Sequence, residues 1–390
     1  MSKKNFSFIH KELKSWYKRS GVFLFSVIAL FLLIGLLTSI QPAYRLSSSS
    51  VHHWTGQISG GSFLHLMGME NRLYKEAYPE DQEDIEITQL VFQSATSIRP
   101  DDPRSLLGRE LPGFAAYDGK IIVAGEGTDY TNMPIESSPP MEVFDEEKEA
   151  VINDEETPDP PKAEEKDPVQ TTGERDVVFI YHSHNRESFL PLLPPGTVAD
   201  DAYHSKANIT MVGDRLKKSL ENNGIGANID KSDITGKLLN NGMKYYESYE
   251  MSRPVVAQAI KQNDNLQFFF DLHRDWHSDK SFTTKEIKGK SYARLFFVVG
   301  GDNPNYEKNA KLAWDLHKQL EKKYPGISRG VTEKKGQGTN GVFNQDLSSN
   351  SIVIEFGGVS SNLEELYRTA DAFAEVFSDY YWQAEKVNGN

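Results

Sequence analysis

The chain has 390 residues, a formal net charge of -13 and no cysteine. That acidity excludes a nucleic-acid partner held through its phosphates, and the lack of Cys excludes disulfides and thiolate metal sites. Any metal must therefore sit on His, Asp or Glu, in a chain long enough for two domains and at least one sizeable core.

Residues 1–20 carry Lys3, Lys4, Lys11, Lys14, Lys18 and Arg19. Residues 21–40 follow as GVFLFSVIALFLLIGLLTSI, twenty positions without a charge. As a helix that length spans a bilayer core. Only Arg45 follows closely, so the positive-inside bias predicts a cytoplasmic tail over 1–20, a single-pass transmembrane helix over 21–40, and an extracytoplasmic remainder anchored in the cell membrane. The apolar stretch is long for a signal peptide, and Ser39-Ile40-Gln41-Pro42-Ala43 is a poor cleavage site, which favours a retained anchor.

Residues 41–135 read as a membrane-proximal extracytoplasmic region, helical around His65–Asn71, with a further apolar pattern from Leu90 to Ile98. Residues 136–174 are dominated by Glu, Asp and Pro. Such composition buries too little apolar surface to offset ordering entropy, and like charges extend it. The stretch is expected to be a linker.

Residues 175–387 alternate short apolar runs with amphipathic segments. Val177–Tyr181, Ile225–Ile229, Leu266–Leu272, Ala293–Val299 and Ser351–Phe356 read as strands. Lys206–Asn223, a segment opening at Ser252-Arg253-Pro254, Pro304–Tyr324 and Asn362–Ala384 read as helices. This order predicts an α/β fold with a mostly parallel sheet flanked by helices.

Three of these strands end on metal-capable side chains: His182, His184 and Glu187 after the first, His273 after the third, and Glu355 in the last. In open α/β sheets ligands bind at the carboxyl ends of strands. Convergence there would supply N/O ligands for a catalytic Zn2+ and a carboxylate base. His184, Glu187 and His273 are the expected ligands, with His182 a secondary candidate: two residues apart in a strand, both His would share a face. Glu355 lies in an apolar run, where an unpaired charge costs several kcal/mol. It reads either as the partner of Arg274 or Arg294, or as a general base that takes a proton from the attacking water and passes it to the leaving amine. Gly357 and Gly358 would leave room for substrate. Arg274, Asp275 and Asn344 are candidates for substrate contact or for supporting the ligands. Gly326-Ile327-Ser328-Arg329-Gly330 and Gly336–Gly341 match catalytic and nucleotide-binding motifs in letters only, without the strand and helix that those motifs require.

Together with the anchor and the acidic linker, VVFIYHSHNRESFLPLL, HSKANITMVGD, the DLHRD stretch at Asp271–Asp275, GKSYARLFFVVG and IVIEFGGVSSNLEELYRTAD resemble the stage II sporulation protein P family of endospore-forming bacilli. The likeness runs over nearly the whole chain, including GRELPGF and GTDYTNMP. It implies a zinc-dependent peptidoglycan hydrolase with a catalytic domain similar to N-acetylmuramoyl-L-alanine amidases. The implied activity cleaves the N-acetylmuramoyl-L-alanine amide and stem-peptide cross-links during engulfment, with stage II sporulation proteins D and M, in the membrane around the forespore. The family's His-x-His-x-x-Glu pattern falls on His182, His184 and Glu187. Its Leu-His-Arg-Asp stretch falls on Leu272, His273, Arg274 and Asp275, and its late strand Glu on Glu355. Ser183 stands where many relatives carry Thr. The remaining readings are a zinc peptidase acting only on stem peptides and a non-catalytic wall-binding bridge.

Overall fold

In the computed structural model, residues 119–136, 139–144, 148–151, 170–336 and 339–388 are described. The tail, the anchor expected over 21–40 and most of 41–135 lie outside them. No helix among the described residues is long and apolar enough to cross a membrane.

The strands are β1 (Lys120–Ala124), β2 (Asp176–Tyr181), β3 (Gly226–Ile229), β4 (Phe268–Asp275), β5 (Thr284–Ile287), β6 (Lys290–Ala293), β7 (Leu295–Gly300), β8 (Ser328–Lys334) and β9 (Ser351–Gly358). The helices are α1 (Thr210–Asn222), α2 (Ile234–Asn240), α3 (Ser248–Gln262), α4 (Lys280–Thr283), α5 (Tyr306–Lys323) and α6 (Leu363–Asn388). Seven strands form one sheet in the order β1-β8-β7-β9-β4-β2-β3, and β5 and β6 make a separate hairpin. The pairs β2–β3, β2–β4, β4–β9 and β7–β8 are parallel, as alternating strands and helices predict. Pairs β7–β9 and β1–β8 are antiparallel, so the sheet is mixed. The hairpin β5–β6 delivers the chain to β7 pointing the opposite way to β9.

The period-two alternation of the strands decides which residues face which layer. In β4, Phe268, Phe270 and Leu272 join the main core with Val178, Ile180, Ile352 and Ile354. Helix α6 meets this face with a ladder of aromatics: Phe373 and Phe377 lie edge-on to Phe270, their ring centroids at 5.5 and 5.2 Å. Phe179, Tyr181 and Phe269 point the other way and pack with Val256 of α3. The same odd-numbered face of β4 then carries Asp271, His273 and Asp275. On β9 it carries Glu355, in direct register with His273. Helix α3 begins at Ser248, about one turn before the Ser252-Arg253-Pro254 start expected from sequence, and contains Pro254.

Two expected boundaries move. Strand β1 comes from the stretch assigned to the membrane-proximal region, yet it pairs with β8 at the edge of the sheet. Parts of the expected linker are also ordered against the sheet-bearing unit: Phe144 stacks on Tyr245 at 5.8 Å, and Val151 N donates to the Leu192 carbonyl. Acidic composition set the expectation of disorder there; a few apolar side chains among the charges are enough to dock these pieces.

Candidate metal centre

Strand β2 ends at Tyr181, and the chain turns. Glu187 N donates to the His184 carbonyl at 3.0 Å, which folds the side chains at i and i+3 back toward one point. Nδ1 of His184 lies 3.5 Å from Glu187 Oε1, and Nδ1 of His273 lies 3.7 Å from Glu187 Oε2. The two imidazole centroids are 4.8 Å apart. One donor atom from each of His184, Glu187 and His273 lies within 4.8 Å of the other two, and all three residues are buried. Donors so spaced can close on one ion at the ~2.0–2.2 Å that zinc takes from imidazole and carboxylate.

The cluster is incompletely partnered. Both ring nitrogens of His184, Nε2 of His273 and Oε2 of Glu355 are buried without a hydrogen-bond partner among the described residues. His273 Nε2 meets Asp271 Oδ1 at 3.0 Å as a charge contact. Each such atom costs about 1–3 kcal/mol if left unsatisfied. The donor set, with the orphaned Nδ1 of His184 in it, therefore fits a divalent ion.

Electrostatics point the same way. Burial alone would push the Glu187 carboxyl up, but His184, His273 and Arg274 outweigh it and hold the group down at about 2. The backbone N–H of Arg274 donates to Glu187 Oε2 at 2.9 Å. Burial lowers His273, yet Asp271, Glu187 and Glu355 together raise it to about 10. Glu355 is raised to about 8, first by burial, with His273 opposing and Glu187 and Asp275 adding to the rise.

The other expected residues fall elsewhere. His182 continues the alternation of β2 onto the helix-packed face, away from His184. Its Nδ1 is 3.2 Å from the Asp230 carbonyl, and a Cβ on Gly213 of α1 would lie 2.5 Å from its Nε2. Burial lowers it to about 4. The shared-face expectation fails because the strand stops before His182. Arg274 sends its guanidinium to the carbonyls of Ser188 and Ala202, at 2.7 and 3.2 Å, and so braces the Glu187 loop. Arg294 donates to the carbonyls of Gly326, Phe282 and Glu126. Asp275 is paired with the buried Arg329. Asn344 donates to Tyr249 O and Ser252 Oγ from a left-handed backbone position. Gly357 and Gly358 serve close packing rather than access: a Cβ on the first would meet Ser361 Oγ at 2.4 Å, and one on the second His277 O at 2.2 Å.

Asp271 was not singled out as a site residue. Its carboxylate accepts from Ser183 N at 2.8 Å and from Ser183 Oγ at 2.6 Å, tying the β2 turn to β4 beside His273. The signal was the first acid of FFFDLHRD, set in an apolar run two residues before His273. Tyr245 and Tyr249 were missed too; their rings lie 4.4 and 5.4 Å from that of His184 and cover the cluster.

Fold and cluster together define a mixed α/β protein with a buried His–Glu–His centre of metal-binding type. A family model described as Stage II sporulation protein P matches residues 101–378. Stage II sporulation protein P of Bacillus subtilis (strain 168) is 50% identical over 369 residues, covering 94% of this chain and 92% of that protein. The chain belongs to the stage II sporulation protein P family. Solved structures with partial likeness include the CwlD amidase from Clostridioides difficile in complex with the GerS lipoprotein, at 16% identity and TM-score 0.33, covering 54% of this chain and 99% of that one. The N-acetylmuramyl-L-alanine amidase Ami1 from Mycobacterium smegmatis gives 13% identity and TM-score 0.32, covering 53% of this chain and 96% of that one. Likeness at this level leaves the fold to be argued from the sheet itself.

Proposed function

We propose that this protein is a zinc-dependent peptidoglycan hydrolase that cleaves the N-acetylmuramoyl-L-alanine amide and also stem-peptide cross-links. Membership of a sporulation family supports the setting, and one observation carries the chemistry: His184, Glu187 and His273 converge beside a carboxylate that burial raises to about 8.

His184, Glu187 and His273 would hold the ion. When bound there, zinc supplies a Lewis acid that polarises the scissile carbonyl and acidifies water. Glu355 would take a proton from the attacking water at its Oε2, which is buried without a partner among the described residues, and return it to the leaving amine. Asp271 orients His273, and the Arg274 backbone N–H orients Glu187. Tyr245 and Tyr249 limit water around His184.

In this reading residues 21–40 anchor the protein in the membrane with the catalytic unit on the wall side. It acts in septal wall degradation and engulfment, with stage II sporulation proteins D and M as partners. The test is Glu355→Gln. Zinc content is expected to stay at the parent level while release of stem peptides from purified wall is abolished; persistent release removes the assigned role. Free N-terminal alanine on the products marks amidase action, and its absence marks a peptidase acting only on stem peptides.

A further inference from the structure

We propose that Glu136 is a positioning residue of this centre: its carboxylate accepts the Nε2–H of His184 and so keeps Nδ1 turned toward Glu187 and His273. The proposal rests on the metal-site reading above.

The two imidazoles have matching surroundings. His273 turns Nδ1 to Glu187 at 3.7 Å and Nε2 to Asp271 at 3.0 Å. His184 turns Nδ1 to Glu187 at 3.5 Å and Nε2 to Glu136 Oε1 at 3.6 Å. Each ring thus gives one nitrogen to the shared carboxylate and the other to a separate one. Histidines that ligate metals usually donate their second N–H to such a carboxylate, which fixes tautomer and ring orientation. His184 Nε2 is buried and has no hydrogen-bond partner among the described residues. At 3.6 Å the pair is just short of a hydrogen bond, within reach of a small rotation of the Glu136 side chain.

The backbone delivers Glu136 firmly. Arg329 Nη2 donates to the Asn132 carbonyl, and His277 Nε2 lies 3.0 Å from the Met133 carbonyl. Lys334 Nζ donates to the Pro134 carbonyl at 3.1 Å, and Ile135 N donates to Asp275 Oδ1 at 3.3 Å. Four successive residues are therefore tied to side chains of β4, of β8 and of the turn just after β4, all but His277 buried. A carboxylate that merely plugged the site would be expected on the Nδ1 side and on a segment free to leave. Glu136 is on the other side of the ring, carried by a segment built into the framework.

The experiment uses the full chain and its Glu136→Ala, Glu136→Gln and Glu136→Asp variants. Zinc affinity is read by chelator competition, and the His184 tautomer by ring 15N shifts in the zinc-loaded protein. Glu136→Ala is expected to weaken zinc about 10–100-fold and to lose the single Nε2–H tautomer. Glu136→Asp and Glu136→Gln, each keeping an acceptor oxygen, should recover part of the affinity. The melting temperature of the metal-free protein should move little. Parent-level affinity with an unchanged tautomer in Glu136→Ala overturns the proposal and leaves the metal site standing. Faster wall hydrolysis by Glu136→Ala at unchanged affinity also overturns it, making the carboxylate a plug. A parent that takes no zinc removes the metal-site reading, and this proposal with it.

Discussion

Two clusters of buried charge share one face of β4, and they are built oppositely. Asp275 and Arg329 form a closed unit: Arg329 also donates to the Asn132 carbonyl, and Asp275 Oδ1 accepts from Ile135 N and His277 N. The guanidinium lies over the Phe296 ring at 5.1 Å. Two residues earlier, His273 belongs to an open unit in which four polar atoms of His184, His273 and Glu355 lack hydrogen-bond partners among the described residues. A fold can satisfy a buried charge from within, as it does at Arg329. Where it does not, as at His184 Nδ1, the unsatisfied atom points to something the chain itself does not supply.

The sharpest break is His273→Ala. It should take zinc content from one per chain to near zero and wall hydrolysis with it, while the metal-free protein keeps its secondary structure. Metal analysis and circular dichroism on the same sample decide this. Zinc at parent levels would show that the cluster is not the binding site.

Arg329→Ala tests the closed cluster and should act on stability instead. It strands the Asp275 carboxylate in a buried site, which typically costs about 3–5 kcal/mol. Urea unfolding should show that loss, and the fraction that folds should still take zinc. A benign Arg329→Ala would erase the contrast between the two clusters.

A third effect follows from the raised groups of the metal-free protein. Glu355 is raised by burial from 4.5 to about 8, so its charged form is disfavoured in the fold. Stability present below pH 4.5 is lost as pH rises toward about 8. His273 is raised from 6.5 to about 10 by Asp271, Glu187 and Glu355 against burial, so its contribution is complete below 6.5 and lost as pH rises through about 10. Both terms make the metal-free protein weaker toward alkaline pH. Glu355→Gln removes the first of them. In chelator it should melt higher than the parent at pH 8–9, by about 1–3 kcal/mol, and close to it at pH 5. Equal melting at both pH values would show that Glu355 ionises freely.

The strands that carry the site were legible because their apolar runs are short and β-rich and stop on charged side chains. Their ends suggested convergence, and the β4–β9 register is what puts His273 and Glu355 on one face. Strand β8 was not legible: SRGVTEK is mostly polar, and its burial comes from Arg329 and Lys334 finding distant acceptors. The reversal of β7 and β8 depends on the β5–β6 hairpin, whose strands are four residues each. Glu136 gave no signal at all. It opens a stretch whose composition reads as a solvated tether, and only the ties from residues 132–135 to the end of β4 and to β8 bring it to His184.

The smallest expected effect separates the two His after β2. His182 and His184 are both buried, at 3% and 0% exposure, so burial alone does not tell ligand from filler. Their surroundings do. His184 is ringed by two carboxylates and a second imidazole, whereas His182 meets a backbone carbonyl and the bare face of Gly213. At pH 7 a group lowered to about 4 is neutral and behaves as a flat, mostly apolar ring. His182→Phe keeps that ring and gives up one contact to the Asp230 carbonyl, a loss of about 1 kcal/mol. Zinc content should match the parent, while His184→Phe in the same assay should lose it. Zinc lost from His182→Phe at unchanged stability would put His182 on the ion and require the β2 turn to rearrange when metal binds.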